Sequence, residues 1–277
     1  MKIVVEAGAT KSDWRFLRRG AQNKVLLPGM NVSTADMQHN LGVLTDGLAA
    51  AGAGKIDGFY LYTAGILTPQ VRSLLCRHIR SLAQVDDVDI QDDLVAAARA
   101  ACGHSEGIVA ILGTGSNACF WDGDAVSFRV RSGGYVIGDE GGGAALGKQF
   151  LGDFIKGLVP ADVAADFAAR FDATYEGIVA GVYRSASPAG YLGSIAPFLR
   201  EKYGSSDYVT GLIESNFRSF IERSLLPYDV SRYEVGVVGG WGNACREIFT
   251  RLCSGYGIRI RTFEAEPIAG LVKYHSV

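Results

Sequence analysis

Two short apolar runs, KIVVE at 2–6 and GIVAILG at 107–113, each lead into a turn of glycine and small or hydroxyl residues. Gly8, Ala9, Thr10 and Lys11 follow the first, and Gly113, Thr114, Gly115 and Ser116 belong to the second. A nearly all-apolar run of this length reads as a buried strand. Small residues at its end let backbone N–H groups approach an anion, to which Thr10 adds a hydroxyl and Lys11 a charge. One such turn is what any hairpin needs. Two of them, in corresponding places of the two halves, form a pair suited to gripping a triphosphate from both sides.

The element order around the turns repeats as well. In the first half, alternation at 13–18 predicts the returning arm of a hairpin, with a further strand at 24–27. Helices at 36–51 and 69–82 then alternate with strands at 56–62 and 86–90, and the alanine-rich stretch 93–102 predicts another helix. The second half reads as strands at 117–121 and 125–131, helices at 143–157, 161–171, 189–203 and 208–225, and a strand at 233–238. A helix at 242–253, a strand at 257–263 and a short helix after Pro267 complete it. Hairpin strands followed by alternating units imply an α/β chain of two mixed-sheet domains, 1–105 and 106–277, with a cleft between them.

The 277 residues, 48% of them hydrophobic and 20% charged, supply apolar material for two cores. The net charge of -2 gives no reason to expect a nucleic acid or an anionic membrane as partner. No stretch reaches the roughly 18 apolar residues of a membrane span, nor is there a signal-peptide core, so a cytoplasmic protein is expected. The five cysteines, without a CxxC pair, read as buried thiols of a reducing compartment. The four histidines are scattered, which argues against a histidine-built metal site. The sequence leaves a homodimer open.

Four further features carry chemistry. Glu6, at the end of the first strand, is suited to hold a hydrated Mg²⁺. The segment Gly133–Gly143 surrounds the acid pair Asp139–Glu140 with glycine, which makes Asp139 a candidate for substrate hydroxyl or metal-water contacts. Gly239, Gly240 and Gly242 follow the apolar strand YEVGVV and precede a helix, a turn on which a flat adenine ring can lie. Asp92 and Asp93 open the alanine-rich helix, where an acid serves either as a cap or as a phosphotransfer base facing the cleft.

Together these segments resemble the N-acetylglucosamine kinase branch of the actin-like ATPase and sugar-kinase superfamily, also described as BadF-type ATPases. The matches run in family order through EAGATKSDW, PGMN, QDDLVAAARA, ILGTGSNA, GGYVIGDEGGGAALG, VVGGWGNA and PIAGLVKYH. The resemblance implies two RNase H-like domains with a central nucleotide-binding cleft. It implies ATP and Mg²⁺ as cofactors and a small-molecule sugar as substrate. Gly8, Ala9, Thr10 and Lys11 look like the first phosphate loop, Gly113 to Ser116 like the second, and Gly239, Gly240 and Gly242 like the adenosine motif. Asn31 of PGMN matches a sugar-binding asparagine, Asp139 an acid that contacts sugar and lies near the metal, and Gly134 and Tyr135 a segment with an aromatic that stacks on the sugar. Metal contacts through water are implied for Glu6 and Asp139.

Relatives place their catalytic acid immediately before a helix of the form DLLAAARA, which selects Asp93, with Asp92 as the alternative. The implied reaction is transfer of the γ-phosphoryl group to a sugar hydroxyl, O6, on N-acetylglucosamine or N-acetylmuramic acid, with Asp93 as general base. Two departures stand out: Glu6 occupies a position where many relatives carry Asp, and Trp241 one where smaller residues are common. The rival reading is an activator ATPase of a radical CoA-ester dehydratase or reductase, which needs cysteines displayed for an iron-sulfur cluster.

Overall fold

Strands β1 (Lys2–Ala7), β2 (Lys11–Arg18) and β3 (Ala21–Pro28) form an antiparallel meander, and β4 (Ile56–Thr63) and β5 (Val85–Asp92) add to it in parallel. The sheet order is β3-β2-β1-β4-β5. Five later strands, β6 (Gly107–Leu112), β7 (Ser116–Trp121), β8 (Val126–Val130), β9 (Val235–Val238) and β10 (Ile260–Glu264), build a second sheet in the order β10-β9-β6-β7-β8. Strand for strand this is the same topology: an antiparallel meander whose first strand is then joined by two parallel neighbours. This computed structural model describes every residue except Ala9, Thr10, Arg19, Gly20, Thr34, Ala53, Ile66 and Val277.

The chain divides into two compact units, Met1–His104 with Pro267–Val277, and Ser105–Glu266. In the first, helices α1 (Met37–Ala51), α2 (Pro69–Leu82) and α3 (Asp93–Cys102) connect or follow the parallel strands. Their starts have local causes. Thr68 accepts from the Val71 N–H at 3.3 Å with Pro69 at the first helical position, and Asp92 accepts from the Val95 N–H at 3.0 Å. Trp14, Phe59 and Leu44 are fully buried in the core of this unit. Each such side chain contributes roughly 1.5–3 kcal/mol through burial.

The second domain was expected to run over 106–277, but its last residues pack with the first unit. Helix Ile268–His275 buries Ile268 and Leu271 against Val4, Tyr62 and Ala96, and the His275 ring meets the Tyr62 hydroxyl at 2.7 Å. A short apolar helix goes where its buried face finds partners, and here they lie on β1, β4 and α3.

In the second unit, α4 (Gly134–Ile137) and α5 (Gly143–Phe154) follow the meander, and a cluster of further helices spans 161 to 225. Three details depart from the sequence reading. The helix expected at 189–203 breaks into Pro188–Gly193 and Ala196–Glu201, where Pro197 occupies the opening turn of a new helix. Helix Tyr175–Tyr183 was not anticipated, its start being capped by Thr174. The long helix ends at Phe220 and continues as a π-turn, Ile221–Leu225. Among the described residues no helix is long and apolar enough to cross a membrane.

Candidate functional site

In the second unit the turn between β6 and β7 is closed by Gly113, whose N–H donates to the Gly115 carbonyl at 3.0 Å. The start of α5 is fastened to it, Gly143 N–H donating to the Gly113 carbonyl at 2.9 Å and Ala144 N–H to that of Thr114 at 2.8 Å. These bonds satisfy two donors that a helix N-terminus leaves over. Thr114 is exposed at the tip of the turn, whereas Ser116 is buried and its hydroxyl donates to the Glu140 carbonyl at 2.7 Å. Of the four residues expected here as phosphate binders, Ser116 thus turns inward and ties the turn to the acid segment.

That acid segment is held unusually firmly. Asp139 has φ 59°, the one positive φ outside glycine among the described residues, and it is buried. Burial pushes its carboxyl above the usual range, while the Ser116 N–H and the Ser132 hydroxyl, both donating to it, work in the opposite direction. Asn216, on helix Asp207–Phe220, clamps the next two residues: its Oδ1 accepts from the Gly141 N–H at 2.9 Å and its Nδ2 donates to the Gly142 carbonyl at 3.2 Å. Upstream, Lys148 Nζ donates to the carbonyls of Tyr135 (3.0 Å) and Val136 (3.2 Å) at the end of α4. Tyr135 itself lines a separate groove of 430 Å³ whose walls, with Leu151, Ile178 and Val182, are mainly apolar. The structure brings Gly134 and Tyr135 into the helical turn ahead of Asp139 rather than into a loop.

The glycine segment after β9 completes a pocket with the phosphate turn. Gly239 has φ 126°, and a β-carbon there would collide with the Leu112 carbonyl, so only glycine lets β9 turn this close to the end of β6. Its N–H donates to the Glu264 carbonyl at 2.8 Å, and a short helix, Gly240–Ala244, follows. Gly240 is exposed and Gly242 is buried against β6. The bulk of Trp241 goes inward: its ring stacks on Phe217 at 5.8 Å and its Nε1–H donates to the Gly141 carbonyl at 3.0 Å. The resulting pocket of 520 Å³ is lined by Gly113, Thr114 and Gly143 on one side, Gly240, Trp241 and Ala244 on another, and Gly193, Ala196, Pro197 and Arg200 on a third. Sequence reading had no signal for this third wall, which comes from the broken helix.

In the first unit the candidates gather at the carboxyl ends of the parallel strands, the usual place for a ligand in such sheets. Glu6, near the end of β1, is half-buried and pairs across the sheet with Asp13 of β2. Asp13 was not singled out by its sequence, yet it is buried at 2% exposure and accepts from Arg15 Nε (2.6 Å) and Nη2 (3.0 Å) and from Lys24 Nζ (3.1 Å). Only the alternation of β2 hints that this acid faces its neighbour Glu6. Gly8 closes the turn by donating to the Lys11 carbonyl at 3.0 Å and accepts from the Met30 N–H at 2.9 Å, while Lys11 is exposed. Ala9 and Thr10, expected to bind phosphate, lie outside the described residues.

Asn31 forms a parallel bridge with Ala64, just past β4. The fully buried Asn40 fixes its backbone, accepting from the Asn31 N–H at 3.2 Å and donating to its carbonyl at 3.3 Å, and Asn31 Oδ1 accepts from the Ser33 N–H at 2.9 Å. On the neighbouring strand Thr63 pairs with Asp92, so Asn31 and the Asp92–Asp93 step share one edge of the sheet. Asp92 spends its carboxylate on the helix cap, and Asp93 stands exposed at the first helical position of α3.

Comparison with known proteins follows this geometry. No protein-family profile and no curated protein sequence matches the chain. Among solved structures, a candidate N-acetylglucosamine kinase from Porphyromonas gingivalis is 29% identical over 99% of this chain and 98% of its own, with a TM-score of 0.89. A candidate N-acetylglucosamine kinase from Chromobacterium violaceum is 17% identical over 99% and 98%, with a TM-score of 0.73. A ROK-family glucokinase from Streptomyces griseus, solved with glucose and AMPPNP, shares the fold at 17% identity, 99% and 98% coverage and a TM-score of 0.53.

Proposed function

Because the chain belongs to the actin-like ATPase and sugar-kinase superfamily, we propose that it is an ATP-dependent kinase of an N-acetylated amino sugar, transferring the γ-phosphoryl group to O6. The observation that carries this reading is the pocket in which the phosphate turn, Gly113 and Thr114, meets Gly240 after β9. A base resting on the Gly239–Gly240 backbone leaves its phosphates directed at the turn and at the α5 N-terminus, where backbone dipoles favour negative charge. The amino-sugar choice draws on the likeness to the Porphyromonas protein over nearly the full length of both chains.

In this reading Asn31, with its backbone fixed by Asn40, binds the sugar, and Asp93 orients the acceptor hydroxyl and takes its proton. Asp92 is excluded from that task by its duty as the cap of α3. Among the described residues no group of three or more His, Cys, Asp and Glu side chains converges on one point. This fits Mg²⁺, which keeps most of its waters and uses one or two carboxylates with the substrate phosphates. Glu6 and Asp139 are the carboxylates that would hold such waters, and the ion when bound neutralises charge on the transferring phosphoryl group. The activator-ATPase alternative needs displayed cysteines, and Cys102, Cys119, Cys245 and Cys253 are buried.

A coupled ADP-release screen over hexoses, N-acetylhexosamines and N-acetylmuramic acid tests the proposal. A site with buried partners for the N-acetyl group leaves them unpaired on glucose, at roughly 1–3 kcal/mol per group. The N-acetylated sugars should therefore exceed glucose in kcat/KM by at least about tenfold. Equal rates would sink the amino-sugar assignment.

A further inference from the structure

Arg200 forms part of the pocket wall that the sequence did not announce. It lies at the end of helix Ala196–Glu201, and its Nε–H donates to the Ala244 carbonyl at 3.3 Å, which spans the pocket side from one short helix to the other. The guanidinium is also within hydrogen-bonding reach of the buried Cys245 thiol. Among the described residues no carboxylate forms an ion pair with it. An arginine carries five N–H donors in a planar fork and no acceptor. Two contacts leave the rest of that fork to whatever fills the pocket.

Its position says which part of a nucleotide it meets. Gly193 and Ala196 are the wall residues that abut the phosphate turn and the start of α5: a β-carbon on Gly193 would lie 3.0 Å from Thr114 Cγ2, and one on Gly143 would lie 3.3 Å from Ala196 Cβ. Arg200 comes one helical turn after Ala196, roughly 6 Å further along the axis. It is fastened there to Ala244, at the far end of the short helix that begins at Gly240. The phosphates belong at the turn, so the base belongs beside Arg200. The remaining lining is glycine, alanine, proline, Thr114 at the turn and the inward-facing Trp241, which makes Arg200 the one charged side chain on the base side of this pocket.

We infer that Arg200 reads the nucleobase and, offering donors alone, admits 6-oxopurine nucleotides such as GTP beside ATP. A 6-oxopurine presents two adjacent acceptors, O6 and N7, which match an arginine fork, whereas adenine sets an amino donor beside its N7. Over the ring face the same cation favours either purine. Recognition of adenine by its amino group would need an acceptor side chain, and no residue lining the base side of the pocket supplies one. This inference rests on the nucleotide-binding reading given above and specifies its base selectivity.

Displacement of a fluorescent N-methylanthraniloyl-ATP from the full chain tests it without requiring turnover. GTP and ITP should displace the probe within about tenfold of ATP, and CTP more weakly. R200M should shift the GTP-to-ATP affinity ratio against GTP by at least about fivefold, and R200K, which keeps the charge and the stem but loses the fork, should do the same. GTP binding more than tenfold weaker than ATP in the unaltered protein overturns the inference. So does a smaller change of ratio in both variants, which would place Arg200 on the phosphates. Failure of the probe to bind at all brings down the kinase reading together with the inference, whereas binding without the expected ratios brings down the inference alone.

Discussion

The carboxylate of Asp139 lies so close to the α-carbon of Gly115 that a β-carbon there would meet Asp139 Oδ2 at 2.6 Å. The acid and the phosphate turn are thus one packed object, bridged again by Ser116, whose N–H serves Asp139 and whose hydroxyl serves Glu140. Gly115→Ala forces either the turn or a buried carboxylate to move. The expected outcome is a loss of at least about a hundredfold in kcat/KM, equivalent to about 2.7 kcal/mol. A variant with near-normal steady-state kinetics would show that the turn has no part in phosphoryl transfer.

Asp139 also sets stability against activity. Burial raises its folded value above the ordinary 3.8. Folding therefore favours the protonated form: that contribution is present below the unfolded value and is lost as pH rises through the folded one. At pH 7.5 the ionised group burdens the fold, and asparagine does not. Asp139→Asn should melt at or above the parent at pH 7.5, with the margin narrowing toward pH 4, while phosphotransfer falls by at least about tenfold, a loss of about 1.4 kcal/mol in transition-state binding. A lower melting temperature at pH 7.5 would contradict the assignment.

The two adjacent acids at α3 separate by the job each is built for. Asp92→Ala removes a cap and should cost about 1 kcal/mol, but Asp92→Asn keeps a good capping side chain and should leave both stability and turnover close to the parent. Asp93→Asn should fold normally and lose at least about a hundredfold in kcat. Urea titrations and single-turnover rates on all three variants check this. Near-normal turnover in Asp93→Asn, with a dead Asp92→Asn, would reverse the roles.

His275 makes the first unit acid-sensitive. Packed on Tyr60 at 3.7 Å and meeting the Tyr62 hydroxyl, its ring is held neutral by burial, with the nearby Arg99 adding to the effect, and its pKa falls to about 4. A depressed histidine contributes stability that is intact above its unfolded value of 6.5 and lost as pH falls toward 4. Between pH 7 and 5 this amounts to about 2 kcal/mol, an order-of-magnitude figure. Denaturant unfolding at the two pH values should show the drop in the parent and not in His275→Gln. An equal pH dependence in both would assign the acid sensitivity elsewhere.

The strands and the glycine turns were legible because their signals are local: an apolar run, a small residue at its end, a capping acid before alanine. Boundaries slipped where the causes are remote. The break at 194–195 follows from how helices Pro188–Gly193 and Ala196–Glu201 close around the phosphate turn, and nothing in the intervening residues marks it. Asn216 and Asn40 are buried amides that clamp, respectively, the segment after Asp139 and Asn31 from far along the chain, at sequence separations of 75 and 9. Arg200 and Asp13 likewise acquire meaning only from their neighbours in space. Trp241 illustrates the converse: the sequence flagged its size as an obstacle to the nucleotide, and the structure turns that size into the core, against Phe217.

The placement of helix Ile268–His275 on the first unit has a consequence for the order in which the protein assembles on the ribosome. Val4, Tyr62 and Ala96 are made early, but the side chains that cover them, Ile268 and Leu271, emerge last. The whole stretch Ser105–Glu266 is synthesised in between and holds its own sheet and core. The inserted unit is therefore complete while the first still shows an apolar face to the cytosolic chaperones, and the earliest-made strands are the last to be sealed.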